Sequence, residues 1–103
     1  MQEARECPNI EKVVAQILTL VRPKKIILFS RKTDISGATS SFKLCIIAED
    51  IDKKLLERRI YLDVDCDVPF DVLLYTLPEW EQMLSEKGSF AEKVNRGGRV
   101  LYG

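Results

Sequence analysis

The fold turns on residues 24–50, KKIILFSRKTDISGATSSFKLCIIAED. Two short apolar runs, 26–29 and 44–47, flank a stretch of small and polar residues. Continuous apolar runs of this length suit strands buried on both faces, as at the centre of an α/β sheet. KIILFS and FKLCII are accordingly read as such strands, joined by a loop. Loops of this composition commonly hold phosphate, yet the second strand opens on Lys43, where a metal-assisted phosphate site would need acids.

Working outward, Ile10, Val13, Val14, Ile17, Leu18 and Val21 repeat at helical spacing, so a helix precedes the first strand, with Asn9 as N-cap and Pro23 as stop. After the second strand, Asp50 or Asp52 can cap a helix through KKLLERRIYL. It would turn Leu55, Leu56 and Ile60 inward and leave Lys53, Lys54, Arg58 and Arg59 in solvent. VPFDVLLYT reads as a third strand, with Pro69 suited to a strand entrance or a sheet edge and Asp71 as its one charge. In TLPEWEQML, Pro78 fits a first helical turn, Glu79 and Glu81 lie at the positive end of the helix dipole, and Trp80 is a core anchor. SFAE, from Ser89 to Glu92, is a capping box; the short helix it opens should end at Gly97 and Gly98 before RVLY forms the last strand. The order is α-β-β-α-β-α-α-β, one α/β domain over residues 1–103.

A chain of 103 residues can bury roughly two thirds of the surface it exposes when unfolded, which leaves no room for a second domain. Apolar residues make up 46% and charged residues 31%, the balance of a folded soluble protein. Sixteen basic and sixteen acidic side chains cancel, so no overall field draws the chain to nucleic acid or to an anionic membrane. The cysteines, Cys7, Cys45 and Cys66, are odd in number and unrelated in spacing, and histidine is absent. That removes most zinc sites and every histidine-based acid, base or triad. Cys45, inside an apolar run, reads as a small core residue. The opening MQEARECPN lacks the basic and apolar segments of a signal peptide, and no apolar run approaches the roughly 18 residues of a membrane span. A cytoplasmic protein, neither exported nor inserted, is the expectation.

Taken together, these elements resemble the minimal nucleotidyltransferase (MNT) domains of the polymerase-beta-like superfamily. IILFSR stands where that family has a strand ending in Gly-Ser, SSFKLCII where it has a strand carrying Asp-x-Asp, and FDVLLYTLPEWEQM where it has a third Asp and the helix that follows. The ending GSFAEKVNRGGRVLYG is similar to the family's closing helix, turn and strand. The resemblance covers most of the chain and implies a nucleotidyltransferase-like fold, a small mixed sheet flanked by helices. In active members three carboxylates hold two magnesium ions that clamp the nucleotide's phosphates and activate the attacking hydroxyl.

Position by position, Ser41 occupies the first Asp position, Lys43 the second, and Asp71 retains the third. Ser30 keeps the family's serine with Phe29 at its glycine, or, with a one-residue gap, Ser30 takes the glycine's place. Three ionised carboxylates would carry a charge of −3, whereas serine, lysine and aspartate together carry none. An ammonium about 4 Å from a divalent ion is repelled by roughly 8 kcal/mol at an effective dielectric of about 20. No bound metal or other cofactor is therefore expected, and the Lys43 ammonium should pair with Asp71 in its stead. The resemblance then implies a catalytically degenerate domain that binds a protein partner, for example a HEPN-domain protein in an antitoxin-like pair, or a second copy of itself. Two alternatives stand beside it. One is an active transferase using Mg2+ and ATP with Asp71 and Asp34 in an unusual metal site. The other is a metal-free nucleotide sensor in which Ser30, Arg31 and Lys32 hold the phosphates.

Two further motifs carry less. DVDCD, from Asp63 to Asp67, begins like a calcium loop, but Val68 replaces the glycine of the sharp turn and Leu74 the bidentate glutamate. NRGGR looks like a phosphate loop without the terminal Gly-Lys-Ser/Thr, and is read as the turn into the final strand.

Overall fold

The computed structural model describes residues 8–103; Cys7 and most of the stretch read for a signal peptide lie outside the described residues. Eight elements follow one another: α1 (Pro8–Ile17), β1 (Lys25–Thr33), β2 (Thr39–Ala48), α2 (Lys53–Asp63), β3 (Phe70–Thr76), α3 (Leu77–Leu84), α4 (Phe90–Gly97) and β4 (Arg99–Tyr102). This is the order expected from the sequence. The strands form one mixed sheet in the order β3-β2-β1-β4, with β1 antiparallel to β2 and β4, and β2 parallel to β3.

β1 and β2 are the inner strands, and that position explains their two-sided apolar sequences. Ile26, Leu44 and Ile46 face α1 and α2, packing with Ile10, Val13, Ile17, Leu56 and Ile60. Ile27, Cys45 and Ile47 face the other way, against Trp80 of α3 and Ala91 and Val94 of α4. Ile26, Ile46 and Ile60 are wholly buried, and burial of each such side chain stabilises the fold by about 2 kcal/mol. Trp80 is the core anchor its sequence position suggests.

Helix ends follow local chemistry. The Asp52 carboxylate caps α2 by accepting from the Leu55 N–H, while Asp50 instead takes a positive φ of 50° in the turn before it. Thr76 and Glu79 form a full capping box on α3, whereas the sequence pattern points to one only at Ser89. Ser89 does cap α4, but Glu92 reaches back to the Gly88 N–H. Leu55, expected inside, is 53% exposed, because Leu56 and Ile60 define the buried stripe of α2. α1 begins at Pro8, so Asn9 lies within it rather than at its cap, and it ends at Ile17, before the apolar repeat runs out. Beyond it, Thr19 and Leu20 donate to carbonyls three residues back, tightening the chain out of the helix.

The largest departure from expectation is the supposed loop between β1 and β2. Both strands run on past their apolar stretches, and only residues 34–38 turn. The Asp34 Oδ1 accepts from the Ser36 and Ala38 backbone N–H groups at 2.9 and 3.1 Å, and from the Ser36 hydroxyl. Gly37 adopts a φ of 89°. An Asx turn of this kind closes a hairpin by side-chain-to-backbone bonds, so no apolar pattern was needed to extend the strands through RKT and TSS.

Candidate functional site

The sheet brings three of the residues singled out in the sequence into one row: Ser30 of β1 pairs with Lys43 of β2, and Lys43 with Asp71 of β3. In the next row Lys32 pairs with Ser41. Strand alternation places both rows on the face that carries Cys45, Ile47 and Tyr75 further along. There α3 and α4 cover only the far end of the face. Lys32, Lys43 and Asp71 are consequently exposed, and Ser30 and Ser41 half-buried. Arg31 pairs with Phe42 and projects from the opposite face, so it does not join Lys32 in one phosphate site.

A one-residue register shift between Leu28 and Ser30 bulges the chain at Phe29. Bulges re-aim side chains and often sit beside functional rows. Here the Phe29 ring packs edge-on against Phe90 at 5.2 Å, so it is taken up by α4, and Ser30 becomes the residue opposite Lys43.

Lys43 and Asp71 are directly opposed in register, but the expected ion pair is not formed: among the described residues no Lys43 nitrogen lies within 4.0 Å of an Asp71 oxygen. The reason lies at the sheet edge. Tyr61, reaching from α2, accepts a hydrogen bond from the Val72 N–H at 2.9 Å, and Asp71 is its neighbour. Burial pushes the Tyr61 pKa up, the Val72 amide offsets part of this, and the Asp71 carboxylate adds to the rise as both charge and hydrogen-bond partner. An exposed ion pair would contribute only about 0–1 kcal/mol, too little to draw both chains together against these contacts. Tyr61 was missed in the sequence because its reach appears only once α2 lies along β3.

Asp34 is held elsewhere. The Ser36 hydroxyl, followed by the amides of Ala38, Ser36 and Gly37, keeps its carboxyl below the ordinary carboxylate value. Thr39, which pairs with Thr33 at the hairpin end, is four residues from Lys43. At about 3.4 Å per residue that puts the turn roughly 14 Å from the Lys43–Asp71 row. Among the described residues no three His, Cys, Asp or Glu side chains cluster as metal ligands, the Asp63–Asp67 stretch included. Within that stretch Asp63 is 3.7 Å from Arg59, and the Asp65 backbone is held by the Gln16 amide.

The NRGGR turn has a packing role. A Cβ on Gly98 would lie 2.6 Å from the Ile27 Cγ2 and 2.6 Å from the Val94 carbonyl oxygen, whereas one on Gly97 would meet nothing within 4 Å. Gly98 thus lets the end of α4 turn closely against β1.

What defines the protein at this level is a small α/β fold with helices on both faces of a four-stranded mixed sheet, and an open patch of two lysines, two serines and one aspartate. No family model, curated protein or solved structure matches the chain. Among the described residues no helix is long and apolar enough to cross a membrane.

Proposed function

We propose that the chain is a catalytically degenerate nucleotidyltransferase-like domain that acts by binding a protein partner. One observation carries the reading: Lys43 occupies the centre of the row Ser30–Lys43–Asp71, with Ser41 two residues away on the same face. In the family the sequence resembles, the Ser41 and Lys43 positions are acids. Here only Asp71 could ligate a metal, and its charge is cancelled by the opposed ammonium. The patch formed by Lys32, Lys43 and Asp71 has one positive charge in excess, which suits an acidic or hydrogen-bonding protein surface. A HEPN-domain protein is the partner suggested by family analogy, and fold analogy alone does not fix it.

A second reading, metal-free nucleotide binding, is favoured by the two lysines and two serines sharing the open face. A magnesium-dependent transferase is less well supported, since Asp34 and Asp71 lie at different levels of the sheet. Thermal unfolding with ATP and magnesium, alongside co-expression with a HEPN-domain protein, separates the three. A midpoint unmoved by ligand, with a copurifying HEPN-domain protein, supports the binding module. Magnesium-dependent transfer of labelled nucleotide, lost in Asp71→Ala, would overturn it, and ATP binding indifferent to chelator would replace it with the sensor.

A further inference from the structure

At the end of β2 away from Lys43, the β1–β2 ladder opens into a cavity. Lys25, at the start of β1, pairs with Ile47, and the Lys24 N–H still donates to the Ile47 carbonyl at 2.7 Å. Beyond that bond the two segments part. Residues 20–22 form one wall, residues 49–52 another and the beginning of α2 a third, around a space of about 390 Å³. Small-molecule sites commonly measure about 300–1,000 Å³.

The lining divides into an apolar floor and a charged rim. Leu20, Val21, Ile51, Leu55 and Leu56 make the floor. Leu55, 53% exposed, turns into this space instead of the core, so a ligand that displaces water from it gains apolar burial. Most rim charges are already engaged. Glu49 lies 3.7 Å from Lys24, Arg59 lies 3.7 Å from Asp63, and the Asp52 carboxylate caps α2 through the Leu55 N–H. Arg22 and Asp50 are left, one cation and one anion. Both are exposed, and among the described residues neither has an ion-pair partner within 4.0 Å. Asp50 is set on the rim by its left-handed backbone, φ 50°, a conformation Asp and Asn tolerate better than most residues.

These two charges select the ligand. A molecule with only a carboxylate would suit Arg22 but bring like charge to Asp50, and one with only an amine would do the reverse. A wholly apolar molecule would strip water from both charges without replacing it. A zwitterion with an apolar side chain meets all three demands: its carboxylate fits the planar guanidinium fork of Arg22, its ammonium the Asp50 carboxylate, and its side chain the apolar floor. We propose that this cavity binds a free aliphatic α-amino acid of about the size of leucine. The site shares no residue with the Ser30–Lys43–Asp71 row, so it stands or falls independently of the nucleotidyltransferase-like reading.

The test is an NMR titration of the isotope-labelled full chain at low salt with L-leucine. Three analogues accompany it: leucinamide, which lacks the carboxylate, isocaproate, which lacks the amine, and glycine, which lacks the side chain. Leucine should bind with a dissociation constant of about 1 mM or tighter, moving amide signals within residues 20–22 and 49–56, and each analogue should bind about tenfold more weakly or worse. Arg22→Gln and Asp50→Asn should each weaken leucine about tenfold, since each removes one charge-assisted contact. Both side chains are exposed and Asn suits the backbone at position 50, so both variants should fold, which thermal melting checks. If either does not fold, the comparison of leucine with its analogues on the native chain decides. The proposal is overturned if leucine, isoleucine and valine all fail to bind at about 10 mM, if the shifts fall outside the cavity, if leucine binds within about threefold of leucinamide or isocaproate, or if a folded charge variant binds leucine within about threefold of the native chain.

Discussion

Restoring the missing acids tests the central electrostatic claim directly. In the double variant Ser41→Asp, Lys43→Asp, the two new carboxylates would share one face of β2, with Asp71 opposite position 43. Two residues along a strand span about 7 Å and neighbouring strands lie about 4.8 Å apart, distances that three carboxylates can bridge around one ion. The formal charge of the three positions would change from zero to −3. For a divalent ion about 4 Å from position 43, replacing an ammonium by a carboxylate turns a repulsion of about 2 kcal/mol into an equal attraction at the dielectric of water, and the change is larger at lower dielectric. The aqueous limit applies because Lys43 is exposed. A change of about 4 kcal/mol corresponds to roughly a thousandfold in affinity. Calorimetry with Mg2+ and Mn2+ should detect no binding to the native chain at millimolar metal and clear binding to the variant, with the melting midpoint of the variant rising as metal is added. Magnesium binding by the native chain as tight as by the variant would refute the argument. So would a folded variant with no gain in affinity, since the row would then not be the geometry of a lost metal site.

Other consequences are read by stability and reactivity. Gly98→Ala should lower stability by about 2 kcal/mol and the melting midpoint by about 10 °C, whereas Gly97→Ala, with open space around its Cβ, should be neutral or slightly stabilising; equal effects would contradict the packing role of Gly98. The backbone amide of Thr76, then Lys53, holds the Glu79 carboxyl below its ordinary value of 4.5. The stability this contributes is complete above that value and is lost as pH falls through the lower folded value, so the midpoint should drop on acidification and the drop should be shallower in Glu79→Gln. Burial pushes the Cys45 thiol up to about 12, and the residue is fully buried, so alkylation followed by mass spectrometry should label half-buried Cys66 ahead of Cys45, and Cys45 only on unfolding.

The order of elements was legible because each carries its own local signal. Apolar runs marked β1 and β2, and Ser89, Pro78 and the terminal glycines marked where helices start and stop. What failed were features whose signal is not apolar periodicity. Residues 31–33 and 39–41 are polar strand held by pairing and by Asp34, so they read as loop. Read as loop, Arg31 and Lys32 belong to one segment, whereas strand alternation sends them to opposite faces. The row Ser30–Lys43–Asp71 could be assembled from the sequence only by resemblance, yet its register is a property of the sheet, set by the bulge at Phe29 and the parallel pairing of β3.

By itself, then, the sequence determined the succession of helices and strands and the absence of acids at positions 41 and 43, because both are written in local residue types. Tertiary structure alone decided that Lys43 and Asp71 face each other without pairing, that Tyr61 takes the Val72 amide at the β3 edge, and that Gly98 is needed for packing. Each of these depends on groups far apart in the chain meeting within a few ångströms, and nothing in the residues between them encodes that distance.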